Sequence, residues 1–200
     1  MSQASDPSAF GVLRSYLEAR AAFTDADFEI VRGAFLQKRL AAGEFLQRAG
    51  DVAGHAAFVA IGCLRNFVID EKGKEHIVQF APETWWLADS QSLNNRTPSR
   101  YFIDAIEDSE VLLIDGPSHQ RIVDSVPSYS AAFRSGLQRH NAAKDERIVS
   151  SLSATAEERY LEFQRTYPSI LQRVPQTMLA SYLGMTPETL SRIRKGLSRR

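Results

Sequence analysis

The chain has 200 residues, 44% of them hydrophobic and 24% charged, enough apolar material for a medium domain plus a small one, which excludes a disordered tail or a fibrous rod. No run approaches the roughly eighteen consecutive apolar residues of a spanning helix, and residues 1–8 lack the basic-then-apolar layout of a secretory leader, so a cytoplasmic location is expected. The 24 basic and 24 acidic residues cancel unevenly: residues 151–200 hold eight Lys/Arg against four Asp/Glu, net +4, leaving residues 1–150 at net −4.

Phe10, Leu13 and Leu17, then Phe28, Val31 and Phe35, recur at three- or four-residue intervals on either side of a Thr24-Asp25 cap signal. This predicts two short amphipathic helices within 9–36. Over 38–114 the texture changes to short apolar or alternating runs broken by turn residues, for example 57–61, 64–69, 76–80, 101–106 and 110–114. No helix-length crossover separates them, which favours a rolled antiparallel sandwich or small barrel. Residues 70–74 read as a hairpin tip, because Gly73 can take the positive φ of a tight turn. The single cysteine, Cys63, sits in an apolar strand context as a small buried thiol and cannot form an internal disulfide.

Beyond Pro127 the turn residues thin out, and the pattern predicts a long helix over 128–154. Phe133, Leu137, Ile148 and Leu152 form its narrow apolar seam, interrupted by His140, Asn141 and Lys144. A long helix with one such seam needs a partner, so self-association is expected; two shorter helices packed on their own barrel are the alternative. Thr155 with Glu158 has capping-box form and starts a helix carrying Tyr160, Leu161, Phe163 and Tyr167, which stops at Pro168.

The most informative stretch is 175–195. Pro175 suits a first helical position, Leu179 and Leu183 face inward, and Ala180 between them lets a second helix approach closely. Gly184 follows where the chain must turn through a left-handed conformation, with Met185 plugging the turn. Thr186 caps the next helix, Pro187 occupies its first turn, and Leu190 and Ile193 point back at the first helix. Glu188, Thr189, Ser191, Arg192 and Lys195 are left outward. Five basic residues, Arg192, Arg194, Lys195, Arg199 and Arg200, crowd the last nine positions with no acid among them. Small alanine, turn glycine and apolar residues at these offsets make a helix-turn-helix, whose second helix enters the major groove. In that role Arg192 forks onto guanine O6/N7 and Glu188 accepts from cytosine N4. Gln176, Thr177, Thr186, Pro187, Thr189, Ser191 and Lys195 complete the expected DNA-contacting set, with Arg194, Lys195, Arg199 and Arg200 on phosphates.

The order of parts, together with 187–195 (PETLSRIRK), 73–75 (GKE) at a hairpin and 155–163 (TAEERYLEF), resembles the Crp/Fnr family of bacterial transcription regulators over nearly the whole chain. The resemblance implies an α+β protein in three parts. Residues 1–126 are a jelly-roll (double-stranded β-helix, cyclic-nucleotide-binding-like) sensor domain with flanking helices, 127–154 a dimerisation and coupling helix, and 155–200 a helix-turn-helix DNA-binding domain. It also implies a homodimer on a palindromic duplex, RNA polymerase as a further partner, no membrane association and no catalysis. Glu188 and Arg192 fall on family base-reading positions, while Pro187 stands where some members have an arginine. The family's nucleotide-phosphate cassette aligns here with Leu87-Ala88-Asp89 and Ser99-Arg100-Tyr101. The ribose-holding glutamate is absent and the arginine is shifted by one residue, which on a strand turns it to the opposite face. An effector other than cyclic AMP is therefore expected, in a pocket of Trp85, Trp86, Asp89, Arg100 and Lys144. A constitutive DNA binder with an empty scaffold roll is the alternative.

Other chemistries have less support in the sequence. His55, His76, His119 and His140 are scattered without a convergent carboxylate, so a cupin-type metalloenzyme lacks its ligand set and no cofactor is evident. Asp104, Glu107, Asp108 and Glu110 read as solvated strand ends and a turn, and 94–99 as a polar loop. A protein-interaction module using the terminal basic helix on an acidic partner is the remaining class.

Overall fold

A computed structural model describes residues 8–198. Its helices are α1 (Ala9–Glu18), α2 (Asp25–Arg32), α3 (Ser90–Asn95), α4 (Gly116–Ser125), α5 (Pro127–Ser153), α6 (Ala156–Thr166), α7 (Pro168–Arg173), α8 (Gln176–Tyr182) and α9 (Pro187–Leu197). The strands are β1 (Leu36–Leu40), β2 (Phe45–Gln47), β3 (Ala56–Ile61), β4 (Leu64–Ile69), β5 (Glu75–Ala81), β6 (Trp86–Leu87), β7 (Phe102–Ala105) and β8 (Ser109–Ile114). They form two four-stranded sheets, β1-β8-β3-β6 and β2-β7-β4-β5. The described residues divide into two compact units: 8–66 with 81–138, and 67–80 with 139–198.

In the first unit β3 and β8 are antiparallel, with Ala57 opposite Leu113 and Phe58 opposite Leu112. Side chains alternate across a strand, so each strand feeds two cores. Ala57, Val59, Val111 and Leu113 join Leu40, Leu64, Ile103 and Ala105 between the sheets. Phe58, Ala60, Leu112 and Ile114 face the other way, under Leu13 and Leu17 of α1, Phe28 and Val31 of α2, Ile122 of α4 and Tyr129 of α5. Burial on both faces explains why these strands read as continuous apolar runs. The capping signal at Thr24 is real: its hydroxyl accepts from Asp27 N, and Asp27 returns the bond to Thr24 N. Gly62 turns β3 into β4 at φ +88°, where a Cβ would strike Ser109, so only glycine fits. The acidic run departs from expectation at Asp104. Its carboxylate is buried and bidentate with the Arg65 guanidinium at 2.7 and 2.9 Å, a partner on another strand that composition does not reveal.

The second unit contains the β4–β5 hairpin and the C-terminal helices. Gly73 takes φ +78° at the hairpin tip, and the Asp70 carboxylate accepts from Lys72 N and Lys74 N and pairs with His76. Those bonds hold Asp70 below the usual carboxylate range, the His76 contact most of all. Thr155 and Glu158 form the reciprocal box expected of them. Pro168 ends α6 and also opens α7, whose first turn tolerates the missing N–H. Tyr160, Phe163, Ile170, Val174, Leu179, Ala180, Leu183 and Leu190 are buried.

Candidate nucleic-acid interface and the Asp89 network

The α8–α9 pair is shaped by its turn. Met185 N bonds Ala180 O at 3.0 Å and Gly184 N bonds Ser181 O at 3.2 Å, the two bonds of a Schellman motif, which needs a left-handed residue between them. Gly184 supplies it at φ +66°. Thr186 then caps α9, its hydroxyl accepting from Thr189 N at 3.2 Å, with Pro187 in the first turn. Pro175 is the N-cap of α8 rather than its first helical residue, because its carbonyl already accepts from Leu179 N.

Leu190 is 0% exposed and seals the rear of α9. On the front, Pro187, Glu188, Ser191, Arg192, Lys195 and Gly196 line one shallow concavity. Of these, Gly196 escaped the sequence reading, since a glycine carries no chemical signal. Pro187, Glu188, Arg192 and Lys195 are exposed, as are Gln176, Thr177 and Thr186, whereas Ser191 and Thr189 are half-buried. The Thr189 hydroxyl is engaged by that of Thr186. Hydrogen bonds from its own backbone N–H and from Thr186 keep the Glu188 carboxyl below its ordinary range, so it is a standing acceptor at neutral pH. No ion pair is formed by Arg192, Arg194 or Lys195 among the described residues. Arg199 and Arg200 lie outside the described residues.

The expected effector residues of the first unit do not share one lining. Trp85 packs against the inter-sheet core, while Trp86 turns to the helix-covered face against Phe58, Phe35 and Phe133, at centroid separations of 5.3, 6.1 and 6.2 Å. Trp85 lies in the turn before β6 and Trp86 opens the strand, and the two indoles pack on different cores. Arg100 is exposed, outside any strand, its guanidinium donating to the Tyr101 hydroxyl at 2.9 Å. Lys144 is exposed on α5. Asp89, only 7% exposed, is saturated from within. It caps α3 by accepting from Ser92 N at 3.1 Å and accepts from the Ser99 hydroxyl at 2.7 Å. That hydroxyl in turn accepts from Gln47 Nε2 and Tyr101 N. Gln47, Ser92, Ser99 and Tyr101 thus form one hydrogen-bond network around the Asp89 carboxylate.

Along α5, Phe133 is half-buried in its own unit, 4.5 Å from the His119 ring and stacked on Tyr129. Leu137, Ile148 and Leu152 are exposed, the last at 83%, and Val149 joins them.

Residues 37–125 match the cyclic nucleotide-binding domain family. The transcriptional regulatory protein btr of Bordetella pertussis is 25% identical over 179 residues, 80% of this chain and 72% of its own. Among solved structures, CLP of Xanthomonas campestris, described as a c-di-GMP responsive global regulator, is 16% identical with a TM-score of 0.69 over 88% of this chain and 92% of its own. A CooA mutant from Carboxydothermus hydrogenoformans is 19% identical with a TM-score of 0.70, over 84% and 78%. FixK2 of Bradyrhizobium japonicum is 18% identical with a TM-score of 0.66, over 82% and 85%. By class the chain is therefore a cyclic nucleotide-binding fold followed by a long helix and C-terminal helices. The chain is similar in sequence to a transcriptional regulatory protein and in fold to the three solved structures above. Among the described residues no helix is long and apolar enough to cross a membrane.

Proposed function

We propose that the chain is a homodimeric, sequence-specific DNA-binding regulator that reads a palindrome through α9. The observation that carries this reading is the two-sided character of that helix: Leu190 sealed behind, and Glu188, Arg192 and Lys195 exposed in front without internal ion-pair partners. Arg192 is assigned to guanine and Glu188 to cytosine, with Ser191 and Pro187 beside them. Gln176, Thr177, Thr186, Thr189 and Lys195 lie at the helix starts and along the flank, where backbone phosphates run. The exposed α5 face of Leu137, Ile148, Val149 and Leu152 supplies the dimer seam, and a bound dimer presents the rest of its surface to RNA polymerase. Recovering bound duplexes from a random pool tests the reading: a two-fold-symmetric consensus with half-sites about one helical turn apart supports it. An unsymmetric or sequence-blind pool removes it.

The cassette favours an effector other than cyclic AMP, because an incoming phosphate would meet the Asp89 carboxylate where it needs amides and an arginine. The same saturation also supports the second reading, a constitutive binder whose roll is scaffold. Melting the protein with cyclic mononucleotides and with c-di-GMP separates them. A shift with c-di-GMP alone supports a changed effector, no shift with either supports the scaffold, and a shift with cyclic AMP overturns both.

A further inference from the structure

The last four carbonyls of α8 have no partners inside their own helix and must find them elsewhere. Two, Ala180 O and Ser181 O, are taken by the Schellman bonds of the turn. The other two are taken by arginines from neighbouring helices: Arg159 of α6 donates from Nε to Leu183 O at 2.9 Å, and Arg147 of α5 donates from Nη2 to Tyr182 O at 3.1 Å. Arg147 does more than cap. Its Nη2 also reaches Ile77 O at 3.2 Å, its Nη1 bonds Val78 O, and its plane lies 4.0 Å from the Tyr182 ring centroid.

Ile77 and Val78 belong to β5, the outer strand of its sheet, and an outer strand leaves a row of backbone groups open. Residue Ser181 of α8 closes that row from the other side. Its hydroxyl donates to Glu75 O and accepts from Ile77 N, both at 3.0 Å. Phe80 completes the contact, its ring 5.1 Å from Tyr182 and 6.5 Å from Phe163. The hairpin and the first helix of the DNA reader are therefore joined by bonds to fixed backbone atoms on both sides, with one guanidinium shared between them.

We propose that Arg147, with Ser181, is a positioning residue for DNA reading: it clasps the β4–β5 hairpin to the C-terminal end of α8 and so fixes the direction in which the helix-turn-helix turn, and α9 after it, is held. This rests on the DNA-reading assignment above and adds to it the element that sets the reach of each reader. A guanidinium is required because only a planar fork serves carbonyls on two elements while stacking on an aromatic ring; an ammonium is a point charge. The clasp makes the hairpin and the reader move as one piece. In a dimer, that restricts the half-site spacings both readers can meet at once.

The test uses the full chain and compares Arg147→Met, Arg147→Lys and Ser181→Ala with the unmutated protein on three DNA sets: the selected palindrome, one isolated half-site, and palindromes with one base pair added or removed between half-sites. The expected result for Arg147→Met is half-site affinity kept within about twofold while palindrome affinity falls on the order of tenfold and the spacing preference flattens, since simultaneous engagement depends on geometry. Arg147→Lys should resemble Arg147→Met, and Ser181→Ala should change in the same direction by less. Equal losses on half-site and palindrome would mean that Arg147 merely keeps the reader folded, and no change on either would mean that the clasp has no bearing on DNA; both overturn the proposal. If the unmutated chain itself shows no advantage for a palindrome, the dimeric reading fails first, and is recognised as the cause because no substitution is involved.

Discussion

The cassette around Asp89 and the outer face of α9 are both polar, yet they handle polarity in opposite ways. Around Asp89, every contact found is internal: Ser92 N and Ser99 Oγ on the carboxylate, Gln47 and Tyr101 on the serine. On α9, Arg192 and Lys195 are exposed and unpaired among the described residues. Buried polar groups must be satisfied or they cost stability, so saturation marks a structural network. Exposed guanidinium and ammonium groups unpaired among the described residues are free to meet a phosphate or a base edge. The difference teaches that polar residues bonded to one another belong to the fold, while polar residues left exposed are available to a partner.

The largest effect that can break this comparison is at the back of the reader. Leu190→Ala removes a fully buried side chain and should destabilise the C-terminal unit by about 2–5 kcal/mol, taking DNA binding with it. A thermal melt that leaves the reader intact would show that α9 is not held by its apolar rear. Next comes Asp89→Ala, which removes a helix cap and strands the Ser99 hydroxyl. The expected cost is about 2–3 kcal/mol in chemical denaturation, with DNA affinity per folded molecule unchanged. Arg192→Ala reverses that profile. The midpoint of unfolding should stay put while affinity drops by about 1–3 kcal/mol and preference relaxes at one base pair. Lys195→Ala should weaken all sequences alike and lower the salt slope by about one. A sequence-blind loss from Arg192→Ala would remove its base-reading role.

Most of this contrast is legible in the sequence because it rests on local signals. The cap signal at Thr24-Asp25, the Thr155/Glu158 box, the turn at Gly184 and the apolar offsets of Leu179, Leu183 and Leu190 are all short-range, and each element they predict is present. Helix α5 spans Pro127–Ser153, one residue from the expected 128–154 at either end. Other elements lacked a pattern. Strand β1 is largely exposed and mostly polar, so it has no apolar alternation to read. The opening of α4, Gly116-Pro117, imitates a turn, although Asp115 caps it and proline suits a first turn. Arg147 was invisible for a deeper reason. Its partners are carbonyl oxygens, which every residue possesses, and the sequence offers no complementary charge to find. The Arg65–Asp104 pair was hidden by its 39-residue separation.

The smallest prediction separates the two regions by pH. Residue His119 on α4 packs edge-on against Tyr129 and Phe133, and its Nε2 is buried without a partner. Burial holds its pKa below the ordinary 6.5. The unfolded chain therefore binds the proton first on acidification, and stability falls as pH drops through 6.5 towards the folded value, then levels below it. Residue His140 is shifted the same way by burial and by Lys144, so the slope of the unmutated chain alone does not assign the effect. His119→Gln should leave the slope shallower by one histidine, while the ratio of specific to non-specific DNA affinity stays flat over the same interval, because the Glu188 carboxyl is held below its ordinary range. An unchanged slope in His119→Gln would show that the aromatic contacts do not exclude water from that ring. A specificity ratio that fell in step with stability would show that the two regions do not keep separate accounts of their charge.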